Sequence, residues 1–196
     1  MKRRRFLGTA AAIVVARAAD ASSNFELPNY DVPKEYMPRL VDINEGLAPF
    51  EIHILPQIFA MYWTQPGNRA VRYTVGIGRP GLYEPGQYFI GAKKEWPSWT
   101  PTSDMIAREP EVYEQFSGGM PGGLDNPLGA RAFYLFTPER GDTFLRIHGT
   151  NDPKTVASAV SNGCARLVND QIVRLYESVP LNTRVVLYPN TKTAPS

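Results

Sequence analysis

Residues 51–75 read Glu-Ile-His-Ile-Leu-Pro-Gln-Ile-Phe-Ala-Met-Tyr-Trp-Thr-Gln-Pro-Gly-Asn-Arg-Ala-Val-Arg-Tyr-Thr-Val. Ile52, Ile54, Ile58, Ala60 and Tyr62 fall on alternate positions, broken only at Pro56. Side chains two apart share one face of a strand, so this period predicts a first pair of strands. Gln65-Pro66-Gly67-Asn68 is a turn, and Val71–Val75 alternates again. The reading of the fold as mainly β begins here.

Working towards the C-terminus, Gly86–Ile90 predicts a fourth strand, and Ala132–Phe136 and Phe144–Ile147 two more around the polar turn Pro138–Asp142. Residues 91–130 carry eight Gly or Pro from 97 to 123 and read mostly as long loops, which in a compact domain tend to be functional. Asp152-Pro153 predicts a short helix over 153–160, with Asp152 as N-cap. After Asn169, the residues Ile172, Leu175, Tyr176 and Val179 recur at helical spacing until Pro180, and Arg184–Tyr188 closes the domain as a strand. The chain has 196 residues, 43% apolar and 20% charged, with 16 Gly and 18 Pro. That suits one turn-rich globular domain.

Working towards the N-terminus, residues 22–50 are polar and interrupted by Pro28, Pro33, Pro38 and Pro49, as in an extended arm or linker. Residues 1–21 have a cationic start (Lys2 to Arg5), an apolar run from Phe6 to Ala16, then small residues. This is the layout of a secretory signal peptide, cut after Ala16-Arg17-Ala18 or Ala19-Asp20-Ala21. Arg3-Arg4-Arg5-Phe6-Leu7 resembles the core of a twin-arginine signal. The segment carries a net charge of +4 and leaves about −2 on the remainder, so the basic balance is no argument for nucleic acid. An exported protein is expected, with no stable membrane anchor once the signal is removed. The folded domain is expected at 51–190, followed by a tail at 191–196.

One cysteine excludes an internal disulfide, and with only two histidines a Cys/His zinc site is not expected, nor any cofactor. The chemistry concentrates in Ile147-His148-Gly149-Thr150 and Ser161-Asn162-Gly163-Cys164-Ala165-Arg166. A lone cysteine is more often a small buried hydrophobe than a nucleophile. Here, however, a histidine stands sixteen residues upstream, close enough for a helix and turn to fold the two together. A thiol near its free pKa of about 8.5 supplies little thiolate at neutral pH, and a neighbouring imidazole removes that obstacle. Arg166 adds positive potential. Gly163 permits a tight turn, and the N–H groups of Gly163 and Cys164 are candidates to face an oxyanion. His53, on a strand pattern, reads as structural.

The spacing H-G-T, a gap, then S-x-G-C-x-R resembles the signature of the L,D-transpeptidase (YkuD-type) family. The resemblance extends over roughly 51–188 and includes Glu84–Ile90, Pro97-Ser98-Trp99-Thr100-Pro101, and Gly122-Gly123-Leu124-Asp125-Asn126-Pro127-Leu128-Gly129. It implies a β-sandwich or barrel with two or more short helices and long loops. It also implies attack by Cys164 on a peptidoglycan stem peptide, before its terminal D-Ala. His148 would carry the proton, the Gly149 carbonyl would orient the His148 ring, and a second stem's amine would resolve the thioester. Arg166, Ser161 and Asn162 would bind substrate and shape the site, while Trp99 and the Asn126–Gly129 loop are structural first. Asn162 stands where many members carry a second histidine. Its contribution is expected to be mainly geometric, so that Asn162→His changes the rate less than about tenfold. A free D-amino acid as acceptor would exchange the terminal residue instead; water or a protein lysine, giving an L,D-carboxypeptidase or a protein-attachment enzyme, are the enzymatic alternatives. A catalytically silent wall-binding scaffold is the other.

Overall fold

Ile52 and Ile54 point to one side of their strand and are fully buried there, as alternation requires. The computed structural model describes Leu27 and residues 30–190. The expected signal at 1–21, most of the start of the arm, and the tail at 191–196 lie outside the described residues. Eleven strands and three α-helices follow in chain order: β1 (Arg39–Asp42), β2 (Ile52–Leu55), β3 (Ala60–Gln65), β4 (Arg69–Thr74), β5 (Ile77–Gly78), β6 (Gly86–Glu95), α1 (Ser103–Arg108), α2 (Pro110–Tyr113), β7 (Arg131–Thr137), β8 (Gly141–His148), β9 (Ala159–Ser161), β10 (Ala165–Arg166), α3 (Asn169–Ser178) and β11 (Arg184–Leu187).

Nine strands form one sheet in the order β1-β4-β3-β2-β11-β6-β7-β8-β10, and β5 pairs with β9 in a second. The β2–β11 and β8–β10 contacts are parallel, and the other pairs of the large sheet are antiparallel. Gly76, two residues past β4, exchanges backbone hydrogen bonds with Arg166 at 2.9 and 2.8 Å. Arg166 lies at the far end of the strand order, so the sheet curls until its two ends meet. This is the mainly-β, barrel-like architecture anticipated above. The segment read as an extended arm contributes β1, an edge strand on β4.

Inside the curl, Ile52, Ile54, Met61, Ile90, Phe133, Leu135, Ile147 and Val185 are essentially solvent-free. Truncating one of the large members, such as Phe133→Ala, costs about 3–5 kcal/mol. Helix α3 packs on β7, with Tyr176 stacked on Phe133 (centroids 5.5 Å apart). The Lys93 ammonium donates to the Val179 carbonyl at 2.7 Å, closing the helix end.

Two expectations are corrected. The helix proposed over 153–160 is only a 3-10 turn at Pro153–Thr155, and Ala159–Ser161 is strand β9. The Asp152 side chain caps nothing; its carbonyl accepts the Thr155 N–H and hydroxyl instead. Pro153, Val156, Ala157 and Val160 do fall at helical spacing, but pairing with β5 takes the end of the stretch into a sheet. Secondly, the loop reading of 91–130 fails at both ends of its first half. Strand β6 runs on to Glu95, and α1 and α2 occupy 103–113, started by the Thr102 hydroxyl on the Met105 N–H (3.2 Å) and by Pro110. Helices of one or two turns are too short to show a period.

Candidate active site

Alternation on β7 and β8 separates core from cleft. Phe133 and Ile147 face the core, whereas Tyr134, Arg146 and His148 occupy the intervening positions and line a cleft of about 990 Å³. Strand β10 runs parallel to β8 with Ala165 opposite Ile147 and Arg166 opposite His148. One residue earlier, Cys164 reaches the position opposite Arg146 and receives a hydrogen bond from the Arg146 main chain. Residues opposite each other in register share a face, so Arg146, His148, Cys164 and Arg166 stand together on the cleft side. All four line the cleft, as do Ser161 and Asn162.

The imidazole is fixed. His148 Nδ1–H donates to the Gly149 carbonyl at 2.6 Å, which leaves Nε2 as the unprotonated nitrogen. Burial pushes the His148 pKa down to about 3, opposed by the Gly149 carbonyl and aided by the charges of Arg166 and Arg146. Burial likewise pushes the Cys164 thiol up, against the Arg146 main-chain bond and the charges of Arg146 and Arg166. At neutral pH the resting pair is therefore a thiol and a neutral imidazole. Arg146 is held by a two-pronged ion pair with Asp142 (2.6 and 2.9 Å) and lies over the Tyr134 ring at 3.9 Å. Arg166 donates to the Thr155 carbonyl at 3.2 Å, while its buried Nε has no partner among the described residues.

The turn before the cysteine departs from expectation. Gly163 has φ +117°, and a Cβ there would meet the Leu82 carbonyl at 2.8 Å, so only glycine fits. Its N–H, however, turns to Ser161 Oγ at 3.3 Å and is engaged within the turn instead of facing an oxyanion. Ser161 Oγ in turn donates to the Cys164 carbonyl at 2.7 Å. The hydroxyl expected to bind substrate thus braces the turn. Asn162 also does more than lend its backbone. Its Oδ1 accepts from Arg79 (3.1 Å) and Arg108 (2.7 Å), and its Nδ2 donates to the Tyr113 hydroxyl at 2.8 Å. With the Arg79–Glu109 ion pair, these bonds fasten α1 and α2 along the cleft.

Trp99 packs edge-on against Tyr113 and Phe116 and lines the same wall. In the Asn126–Gly129 loop, Asn126 Oδ1 accepts the Leu128 N–H at 2.9 Å, which closes the turn beside the cleft. His53 lies elsewhere, bridging Tyr188 and Glu51 at 3.2 Å each, in a cavity that shares no lining residue with the cleft. Among the described residues no group of three His, Cys, Asp or Glu side chains converges to hold a metal. Sequence reasoning did not find Arg146, although its place two residues before His148 on an alternating strand is the signal for a shared face. The α1–α2 wall left no comparable signal.

The family model of the L,D-transpeptidase catalytic domain (YkuD) matches residues 49–187. The chain belongs to this family. Among its relatives, the Probable L,D-transpeptidase YbiS of Escherichia coli is 36% identical over 126 residues, covering 63% of this chain and 39% of that protein. The chain thus spans well under half the length of that relative. A crystal structure from Brucella melitensis, described as a probable carnitine operon oxidoreductase, is 40% identical, with a TM-score of 0.55 over 85% of this chain and 96% of that one. An Enterococcus faecium L,D-transpeptidase shares the fold at 14% identity, with a TM-score of 0.51 over 72% of this chain and 50% of that one.

Proposed function

We propose that the chain is an exported cysteine L,D-transpeptidase that acts on peptidoglycan stem peptides in the periplasm or cell wall. The observation that carries this reading is the placement of Cys164 and His148 on one face of the parallel β8–β10 pair, with His148 Nδ1–H held by the Gly149 carbonyl. Cys164 Sγ attacks the carbonyl between the third residue and the terminal D-Ala while its proton passes to His148 Nε2. Proton transfer accompanies attack because neither charged form is favoured alone in this buried setting. The Cys164 N–H and the Arg146 and Arg166 charges face the developing oxyanion. Collapse expels the D-Ala amine, which takes the proton back from His148 and leaves a thioester. The amine of a second stem peptide attacks that thioester and frees the thiol.

Arg166 supplies a fixed cation for a substrate carboxylate or carbonyl, and its unpartnered Nε is a donor awaiting an acceptor. The apolar wall of Trp99 and Phe116 receives the less polar part of the stem. Incubating the purified protein with disaccharide-tetrapeptides and reading the products by mass spectrometry tests the proposal. Cross-linked dimers with loss of D-Ala are expected. Loss of D-Ala without dimers would identify water as the acceptor, and unchanged tetrapeptide would favour the silent scaffold.

A further inference from the structure

The His148 ring is oriented by a peptide group, and that peptide group has a second side. Gly149 C=O and Thr150 N–H belong to one planar unit and point in opposite directions. The carbonyl accepts His148 Nδ1–H at 2.6 Å; the N–H donates to Asn169 Oδ1 at 3.3 Å. The same Oδ1 accepts the Ala130 N–H at 2.9 Å. Asn169 opens helix α3 and is 1% exposed. Its oxygen therefore ties three separate segments together: the strand end carrying His148, the loop ending in Gly129, and α3.

The two glycines here make room for this oxygen. A Cβ at Gly149 or at Gly129 would collide with Asn169 Oδ1, and at Gly129 it would also strike the Gly149–Thr150 backbone. Glycine at both positions lets the amide oxygen reach the peptide. The H-G-T and N-P-L-G segments thereby acquire a common physical reason. The other half of the amide is idle, because Nδ2 is buried with no partner among the described residues. An asparagine kept at a position where only its oxygen is used, at the cost of an unsatisfied donor, is kept for that oxygen.

We propose that Asn169 is the positioning residue of this site: its Oδ1 locks the Gly149–Thr150 peptide plane and, through the Gly149 carbonyl, aims the His148 ring. The inference rests on the reading of His148 as the base. The chain of contacts runs from Asn169 Oδ1 to Thr150 N–H, through the peptide to Gly149 C=O, and on to His148 Nδ1–H. A donor held on the nitrogen side prevents the plane from rotating. An acceptor there also polarises the amide, which strengthens the carbonyl as partner for the imidazolium formed during attack. The positive charges facing His148 come from Arg146 and Arg166; the Asn169 relay is the element that favours the protonated ring from behind.

The experiment uses the full chain with Asn169→Asp and Asn169→Leu. Asp has the same shape and keeps the acceptor, and it loses no hydrogen bond because Nδ2 made none. Leu removes the acceptor at similar volume. Nitrogen-edited NMR reads the Nδ1–H proton of His148, assigned by its loss in His148→Gln, since His53 is the only other histidine. The wild-type chain should show this proton as a downfield, exchange-protected signal. It should persist in Asn169→Asp and vanish in Asn169→Leu, with kcat falling about 10–100-fold in Leu while KM stays within about twofold. In Asn169→Asp the acid limb of the pH–rate profile should move to higher pH, because a negative charge behind the peptide favours imidazolium. If Leu proves unfolded by circular dichroism, Asn169→Ser, too short to reach Thr150, takes its place with the same expectation. A Leu or Ser variant that keeps both the signal and kcat overturns the inference, as does an Asp variant that loses as much as Leu. If the NMR pattern holds but even the wild-type chain releases no D-Ala, the reaction reading fails and the positioning role stands.

Discussion

Ser161 Oγ donates to the main-chain carbonyl of Cys164 at 2.7 Å, across a turn of three residues. The same oxygen accepts the Gly163 N–H, so one hydroxyl closes both ends of the loop that presents the thiol. Ser161→Ala would leave the Gly163 N–H and the Cys164 carbonyl without that partner. Urea titration should show a loss of about 1–3 kcal/mol, the range for stranding buried hydrogen-bonding groups. The turnover rate should fall more than stability alone explains, while Ser161→Thr, which keeps the hydroxyl, should recover most of it.

Asn162 supports the wall of the cleft. Asn162→Ala removes the acceptor shared by Arg79 and Arg108 and the donor to Tyr113. These groups are only partly buried, so the loss is modest, about 1 kcal/mol. Steady-state kinetics should register it as a KM rise of up to about tenfold, with kcat changed less than threefold. Asn162→His should behave like Ala in KM, because a neutral imidazole has a single acceptor nitrogen and cannot serve both arginines. A gain of kcat in Asn162→His would instead mean that the histidine found elsewhere in the family does chemistry that this chain lacks.

Much of this organisation was legible beforehand. The strands over Ile52–Val75 followed from alternation, because one face of each is buried and period-2 patterning records that, whereas Ala132–Phe136 and Phe144–Ile147 were legible as apolar runs on either side of a polar turn. Helix α3 followed from Ile172, Leu175, Tyr176 and Val179. Pairing a histidine and a cysteine sixteen residues apart was also within reach. What escaped were features set by tertiary contact: β9, whose partner β5 lies eighty residues upstream, and the one-turn helices that line the cleft. The Gly163 N–H was misassigned for a similar reason. A turn glycine announces its dihedral freedom but not which way its N–H points, and Ser161 decides that.

Thiol chemistry offers a direct check on electrostatics. Burial raises the Cys164 pKa and lowers that of His148, so the resting site is neutral. Alkylation by iodoacetamide should be slow at pH 7 and accelerate only above the ordinary thiol range near 8.5. A preformed thiolate–imidazolium pair would give fast alkylation at neutral pH and would contradict this picture. Chelators should leave turnover unchanged, because thiol-to-carbonyl attack with imidazole as base needs no Lewis acid.

Stability should depend on pH through His148. Its folded pKa, about 3, lies below the ordinary histidine value near 6.5, so between these limits the unfolded chain binds more protons. The contribution is complete above about pH 6.5 and is lost as pH falls towards 3, at up to about 1.4 kcal/mol per pH unit. Urea titrations at pH 7, 6, 5 and 4 should show the decline, and His148→Gln should reduce it, leaving the share of His53, whose pKa burial also lowers. A His148→Gln chain with an unchanged pH slope would show that the imidazole is not buried in its neutral form.

The central claim is that Cys164 becomes acylated by a stem peptide. Intact-protein mass spectrometry after brief mixing with a tetrapeptide donor, in the absence of an acceptor amine, measures this directly. The account predicts a mass increase equal to the donor minus D-Ala, located on Cys164 by fragmentation, cleaved by hydroxylamine and absent in Cys164→Ala. D-Ala release by Cys164→Ala at the wild-type rate, or turnover with no adduct on Cys164, would contradict it.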